Sequence, residues 1–162
     1  NWHPQAVLLT HGHFDHIGAL AGVKKEYPDI KVYAAAEEKE VMESPTLNLS
    51  SSFGAAFTAQ ADIYLEDGAE IEVLGRKCKC LLVPGHTKGG MCYYFPEENV
   101  VFTGDTLFCY SVGRTDFPTG DAKALEDAIR EKLFALPDET LVLPGHDAQT
   151  MIGKEKKGNP YF

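Results

Sequence analysis

Seven residues near the start of the chain combine side chains that often bind metal ions. They read Thr10-His11-Gly12-His13-Phe14-Asp15-His16 and follow an apolar run, Ala6-Val7-Leu8-Leu9. Burying three imidazoles and a carboxylate together would be costly without a cation, because each unpaired polar group in an apolar pocket costs several kcal/mol. Imidazole nitrogen and carboxylate oxygen are ligands of borderline divalent metals. The stretch therefore predicts a metal site.

An apolar run followed by a candidate ligand occurs three more times, each time with a glycine directly before the ligand. Residues 80–83 precede Pro84-Gly85-His86, residues 100–103 precede Gly104-Asp105, and residues 140–143 precede Pro144-Gly145-His146. Each run is typical of a buried strand that stops at a tight turn. Four strand ends at one sheet edge would bring together His11, His13, Asp15, His16, His86 and His146, with Asp105 as a seventh ligand.

The spacing of the first motif suggests how these ligands divide. In an extended loop, residues two apart point to the same side. We therefore expect His11, His13 and Asp15 to face one way, whereas His16 is free to address a second ion.

The order of these motifs resembles the metallo-β-lactamase superfamily, and in particular the short, single-domain relatives of glyoxalase II (hydroxyacylglutathione hydrolase). The loop at residues 111–118 is also similar to a loop of those short members. The resemblance implies an α+β fold, a four-layer αββα sandwich, with residues 1–162 forming a single domain. It also implies further strands ahead of the first motif. We therefore expect the N-terminal strands to be missing and the domain to be N-terminally incomplete.

The resemblance further implies a site with two divalent metal ions. Zinc is the expected metal, with iron or manganese as alternatives. Asp15 and Asp105 would be the catalytic residues. The first ion would be bound by His11, His13 and His86, and the second by Asp15, His16 and His146, with Asp105 bridging them.

The implied activity is hydrolysis of a small acyl thioester or ester by a metal-bridging hydroxide. True β-lactamases tend to carry a thiolate at the position of Asp105, so the carboxylate favours the glyoxalase-like branch. One alternative is a persulfide dioxygenase of the same fold, with a single iron on His11, His86 and Asp105. Another is a fragment without activity of its own.

Arg114 is the candidate substrate-binding residue. It stands where glyoxalase II relatives carry a basic residue that contacts glutathione, and a guanidinium can bind a carboxylate through two hydrogen bonds. Asp116, two residues later, offers the alternative of an internal Arg114–Asp116 clamp. The short segment after His146 lacks the added helical domain of classical glyoxalase II, so the substrate could be a simpler thioester.

Composition narrows the partners and the compartment. A formal net charge of −9 over 162 residues argues against a nucleic-acid partner, and the chain lacks an apolar segment long enough to span a membrane. The four cysteines are expected to be free thiols in a reducing cytoplasm. A sheet edge left open by missing strands could pair with a second copy of the chain or with the missing N-terminal segment.

The remaining sequence predicts a small set of further elements. We expect a helix over residues 17–27, a solvated charged face at residues 37–40, and a helix and loop over the site mouth at residues 44–61. One hairpin is predicted to join residues 63–65 to 71–74, and another to join residues 91–95 to 100–103. Asp121 is expected to cap a helix that runs to Phe134.

Overall fold

The computed structural model of the chain describes residues 3–162. Within these residues the strands form two larger sheets and one small two-stranded sheet. The first sheet is parallel, with the order β1 (Ala6–Leu8), β2 (Lys31–Ala35) and β3 (Ile63–Leu65).

The second sheet is mixed, and its strands lead into most of the turns that hold the predicted ligands. In spatial order its strands are β11 (Thr150–Met151), β10 (Leu141–Pro144), β7 (Val100–Gly104), β6 (Met91–Phe95), β5 (Arg76–Leu82) and β4 (Glu70–Val73). Strand β10 runs parallel to β7, whereas the other neighbours are antiparallel. The small sheet pairs β8 (Leu107–Phe108) with β9 (Ser111–Val112).

Short helices cover the outer faces of the two larger sheets. Their bounds are α1 (Phe14–Ile17), α2 (Leu20–Glu26), α3 (Lys39–Glu43), α4 (Ala122–Ala128) and α5 (Ile152–Gly158). Short 3₁₀ turns occupy Ala36–Glu38 and Ser50–Phe53, and a turn of π-helix at Ile129–Leu133 continues α4. None of the helices in residues 3–162 is long and apolar enough to cross a lipid bilayer.

Three apolar cores define the layers. Between α1–α3 and the first sheet, the core includes Ile17, Val32 and Met42. Between the two sheets, it includes Leu65, Cys80 and Tyr93. Between the second sheet and α4, it includes Val101, Leu125 and Ile129. Three cores between four layers confirm the α+β class and the αββα sandwich.

Strand β6 contributes side chains to two of these cores. Met91 and Tyr93 face the first sheet, whereas Cys92 and Tyr94 face α4. Successive side chains of a strand point to opposite faces, so a strand buried on both sides must be apolar throughout. All four cysteines of the chain are free thiols in the structure, as expected.

One predicted hairpin is confirmed and the other is wrong. Strands β6 and β7 pair around residues 96–99 as expected. Residues 63–65 instead pair in parallel with β2, because buried Leu65 belongs to the first sheet and the chain then crosses to the second. The hairpin that does form joins β4 to β5 through Leu74 and Gly75, whose positive φ values of 55° and 73° suit a two-residue turn.

The helix predictions have a mixed outcome. Asp121 caps α4 by accepting a hydrogen bond from the Ala124 N–H at 2.9 Å, and the π turn carries the helical segment on to Leu133. The helix expected over residues 17–27 is divided into α1 and α2. Its first part begins at Phe14, so Asp15 and His16 lie within a helical turn rather than in the predicted extended loop.

Candidate metal centre

The predicted ligands follow the carboxyl ends of four strands that finish at one edge of the sandwich. These strands are β1, β5, β7 and β10. Across the two sheets, the Met91 N–H donates to the Thr10 carbonyl at 2.8 Å, and the Tyr93 hydroxyl donates to the Leu9 carbonyl at 2.8 Å. These bonds fix the segment that enters the first ligand motif against the second sheet.

Glycines allow two of the ligand turns to fit. Gly85 has a φ of 132°, in the region that favours glycine, and a Cβ there would lie 2.4 Å from the Leu125 Cβ. A Cβ on Gly145 would lie 2.5 Å from the Asp105 Oδ1. A side chain at either glycine would therefore clash, with helix α4 at Gly85 and with the candidate ligand Asp105 at Gly145.

His11, His13 and His86 form the first group of candidate ligands. Each has one ligand atom within 4.8 Å of the others, and all three side chains are buried. The His13 Nδ1 and His86 Nε2 atoms lie 3.0 Å apart. The structure thus brings together the three residues predicted to bind the first ion.

Asp15, His16 and His146 form a second group with the same spacing limit. The His146 Nε2 lies 3.4 Å from the Asp15 Oδ2, and the His16 Nε2 lies 3.7 Å from that oxygen. The helical turn α1 presents Asp15 and His16 to His146. This group is more exposed than the first, with His146 at 55% side-chain exposure.

Asp105 lies between the two groups. Its Oδ2 is 3.7 Å from the His86 Nε2 of the first group and 3.5 Å from the His146 Nε2 of the second. Its Oδ1 is 3.4 Å from the His16 Nε2. One carboxylate therefore reaches both groups, which is the arrangement that a bridging ligand requires.

Three buried polar atoms in this cluster fit a metal-binding role. The His11 Nε2, the His13 Nε2 and the Asp105 Oδ1 make no well-aligned hydrogen bond with any described residue. Buried polar groups are almost always paired, so unpaired ones need a functional reason. Nitrogen and oxygen donors of this kind suit divalent ions such as zinc, iron or manganese.

Burial keeps the first group of imidazoles neutral. Desolvation, followed by the charges of neighbouring histidines, lowers the pKa of His11 well below its ordinary value and that of His13 to about 4. Desolvation also lowers the pKa of His86. A neutral imidazole is the form that binds a metal, so these side chains are ready to act as ligands at neutral pH.

Nearby carboxylates raise the pKa of His16 above its ordinary value. Burial lowers the pKa of His16, but the adjacent Asp105 and then Asp15 raise it by more. Burial likewise raises the pKa of Asp105, yet His16 and the other histidines lower it overall. Asp105 is therefore a charged carboxylate at neutral pH.

Backbone contacts orient His86. Its Nδ1 lies 2.7 Å from the Arg114 carbonyl oxygen, which can accept a hydrogen bond only from a protonated Nδ1. This leaves the Nε2 lone pair directed at the cluster. Ligand histidines commonly have such a partner on the second ring nitrogen.

Glu38 is a buried residue beside the candidate ligands that the sequence did not reveal. The charged run at residues 37–40 predicts a solvated face, and for Glu38 this is wrong, because its side chain is fully buried. Its carboxylate accepts hydrogen bonds from Gly12 N at 2.7 Å, Thr87 Oγ1 at 2.9 Å and Gly89 N at 2.9 Å. It thereby joins the turn of His11 and His13 to the turn of His86.

Arg114 lies beside the cluster, and the structure shows the internal clamp. Its Nε and Nη2 each donate to the Asp116 carboxylate at 2.6 Å, and its guanidinium lies 3.9 Å from the centre of the Phe117 ring. Hydrogen bonding to Arg114 lowers the pKa of Asp116 to about 2. Binding of a substrate carboxylate by Arg114 stays a prediction.

A cavity of about 470 Å³ opens over the predicted ligands. It is partly walled by residues of the stretch expected at the site mouth, including Leu49 and Phe53. That stretch folds as turns and a single 3₁₀ turn.

Stacked sheets flanked by helices, with histidines and carboxylates gathered at one sheet edge, define a metal-binding αββα domain. The sequence profile described as "Metallo-beta-lactamase superfamily" matches residues 1–146, and the chain belongs to this superfamily. Its fold implies divalent metal ions at the histidine-rich edge.

Two curated relatives align with nearly the whole chain. "Probable metallo-hydrolase YqgX" of Bacillus subtilis is 41% identical over 161 residues, which cover 98% of this chain and 76% of the relative. "Hydroxyacylglutathione hydrolase GloC" of Haemophilus influenzae is 35% identical over 164 residues, with coverage of 98% and 76%.

Two solved structures are similar at the level of fold and sequence. The BLEG-1 B3 metallo-beta-lactamase gives a TM-score of 0.91 at 40% identity, covering 98% of this chain and 77% of the other. TTHA1623, solved in a di-iron-bound form, gives a TM-score of 0.86 at 39% identity, with coverage of 99% and 78%. The superfamily expected from the motifs is confirmed, whereas these relatives differ in the activity or metal that their names state.

Proposed function

We propose that this protein is a metal-dependent hydrolase of small acyl thioesters that uses two divalent ions, with zinc as the metal. The observation that carries the proposal is the position of Asp105, whose carboxylate oxygens lie within 3.7 Å of histidines from both ligand groups. A single-metal site would not need a second group of three ligands beside the first.

The assignment of ligands follows the two groups. Asp105 would contact both ions. His11, His13 and His86 would hold one ion, and Asp15, His16 and His146 the other. When bound, a pair of divalent ions polarises a carbonyl and lowers the pKa of water enough to supply a nucleophile near neutral pH.

The chain's own residues prepare this chemistry. The lowered pKa values of His11, His13 and His86 keep these imidazoles neutral, so they do not repel cations. Asp105 and Asp15 provide negative charge at the cluster. Hydrolysis forms one carbon–oxygen bond and breaks the carbon–sulfur bond, which releases a carboxylic acid and a thiol.

Two observations support a thioester as the substrate. None of the ligand groups contains a cysteine, so the thiolate typical of true β-lactamases is absent from the grouped ligands among residues 3–162. The 35% identical relative GloC is named for hydrolysis of a glutathione thioester.

Free thiols at all four cysteines fit a reducing compartment, and we propose that the protein is cytoplasmic.

Reconstitution with defined metals tests this proposal against the dioxygenase alternative. Protein stripped with a chelator is reloaded with zinc or iron, and thiol release from thioesters is measured beside oxygen uptake with glutathione persulfide. We expect the zinc form to release thiol, and we expect the His146→Ala variant to release it at least about a hundredfold more slowly. His3→Ala, which alters an exposed histidine outside the cluster, is the matched control. Oxygen uptake by a one-iron form without any thioester cleavage would contradict the proposal.

A further inference from the structure

Aromatic side chains form much of the wall of the cavity above the candidate metal centre. The phenylalanines among its lining residues are Phe14, Phe53, Phe108 and Phe117. Phe14 and Phe53 stack with ring centroids 4.2 Å apart and an angle of 20° between their planes. Phe53 keeps 63% of its surface exposed, although large apolar side chains are usually buried. This stacked pair is a ready surface for an apolar group.

The aromatic wall begins directly beside the candidate ligands. Phe14 lies between His13 and Asp15 in the chain, so it adjoins a member of each ligand group. The Phe117 ring packs edge-on to His13 with centroids 5.6 Å apart. A group bonded directly to a carbonyl at the cluster is therefore within reach of these rings. In a thioester the acyl chain is one such group, and the sulfur of the thiol carrier is the other.

The charged side chains of the cavity do not favour an anionic substrate. Apart from the candidate ligands Asp15 and Asp105, whose charge bound metal ions would offset, the lining holds the carboxylate of Asp147, and Arg114 supplies the guanidinium. The Nε and Nη2 atoms of Arg114 both donate hydrogen bonds to the Asp116 carboxylate, so Asp116 compensates the positive charge of Arg114. A substrate with free carboxylates, such as a glutathione thioester, would have to displace Asp116 to pair with it.

From these contacts we infer that the cavity selects thioesters with an apolar, preferably aromatic, acyl group on an uncharged thiol carrier. The inference rests on the proposed function and names the substrate class of the same site. The stacked Phe14–Phe53 pair binds the acyl group. Arg114, the cation that a carboxylated carrier would need, is already paired with Asp116.

Binding of uncleavable thioethers to the zinc-loaded protein separates this inference from the hydrolase proposal. Calorimetric titration uses four ligands, the S-benzyl and S-methyl derivatives of N-acetylcysteamine and of glutathione. We expect benzyl to bind about five- to tenfold more tightly than methyl on either carrier. We also expect the N-acetylcysteamine ligands to bind at least as tightly as their glutathione counterparts.

Two variants assign these preferences to residues. Phe53→Ala removes an exposed ring without opening a core, and it should abolish the benzyl preference. The matched control Phe102→Ala removes an exposed phenylalanine that is not among the residues of this cavity, and should keep that preference. Asp116→Asn should release Arg114 and strengthen binding of the glutathione ligands about fivefold or more.

Equal binding of benzyl and methyl ligands would overturn the inference, as would tighter binding of the glutathione ligands to the unaltered protein. Hydrolysis of the matching phenylacetyl and acetyl thioesters is measured in parallel. If the expected binding pattern appears without hydrolysis of any thioester, the proposed function fails and the selectivity of the cavity stands. Hydrolysis with no preference among acyl groups leaves the function in place and rejects the selectivity.

Discussion

The Glu38 carboxylate accepts a hydrogen bond from the backbone N–H of Gly12 at 2.7 Å, although the two residues are 26 positions apart. Gly12 separates two candidate ligands. The same carboxylate also holds the turn after His86 through Thr87 and Gly89. Burial raises the pKa of Glu38 overall, and the three hydrogen bonds, which favour the charged form, offset part of this rise. One buried side chain thus sets the relative position of two ligand turns.

We predict that Glu38→Gln weakens zinc binding about tenfold or more, because an amide NH₂ replaces one acceptor oxygen and opposes a backbone donor. Cobalt substitution measures this directly, since the visible spectrum of bound cobalt reports the geometry of its ligands. The exposed neighbour variant Glu37→Gln is the matched control and should leave affinity and spectrum unchanged. An unaltered cobalt spectrum in Glu38→Gln would show that Glu38 does not position the ligands.

Asp105→Ala should reduce metal content to one ion or fewer per chain and abolish thioester hydrolysis. The carboxylate lies within contact range of both ligand groups, so its removal takes a ligand from each. Metal analysis after gel filtration, with a thermal melt to verify folding, provides the measurement. Retention of two ions would count against bridging by Asp105.

The metal-free protein should lose stability on acidification from pH 7 to pH 5. The pKa of His13 is lowered to about 4 in the folded chain, below its ordinary value of 6.5, so the unfolded chain binds the proton first as pH falls. Stability from this group is present above pH 6.5 and declines toward pH 4. His13 alone accounts for about 2 kcal/mol at pH 5, or a Tm decrease of roughly 4–8 °C.

Lowered pKa values at His11 and His86 act in the same direction over this range, whereas the raised pKa of His16 opposes them. The lowered pKa of Asp105 affects stability only near and below the ordinary value of 3.8. Calorimetric melts of chelator-treated protein across this range measure the sum. A Tm that stays constant or rises on acidification would contradict the burial of neutral imidazoles at the site.

The buried Glu155 carboxylate should stabilise the fold beside the cavity. Its fully buried carboxylate accepts hydrogen bonds from Thr150 Oγ1 at 2.5 Å, Tyr110 N at 2.9 Å and Asn159 Nδ2 at 2.9 Å. It thereby ties α5 to the loop before Ser111, which lines the cavity. We predict that Glu155→Ala costs about 2–4 kcal/mol of stability, because it removes the acceptor of several buried donors.

Chemical denaturation measures the free energy of unfolding of this variant. Glu139→Ala, at an exposed position, is the control and should change stability by less than about 0.5 kcal/mol. A Glu155→Ala variant as stable as the control would mean that water satisfies these donors equally well.

The convergence of the candidate ligands could be predicted from the sequence because the turns that carry them have local signals. Gly85 before His86 and Gly145 before His146 mark tight turns at strand ends, and strand ends of one sheet edge must meet. Glu38 gave no such signal, since it is surrounded by charged residues and its partners lie 26 to 51 positions away. Its role depends on tertiary packing alone.

The errors in the local predictions have similar causes. The hairpin predicted between residues 63–65 and 71–74 depends on a turn at Asp67-Gly68, but the burial of Leu65 between the sheets assigns β3 to the first sheet. Leu74 at a positive φ is an unusual turn residue, so the actual hairpin turn was missed. The spacing of Asp15 and His16 suits either an extended loop or a helical turn. The structure has the helical turn, which groups Asp15 with His16 and His146 rather than with His11 and His13.

Anomalous X-ray diffraction from crystals of the zinc-loaded protein tests the central claim most directly. The account predicts two zinc peaks per chain. One should lie among His11, His13 and His86, and the other among Asp15, His16 and His146, with Asp105 between them. A single peak, or ions bound away from these side chains, would contradict it.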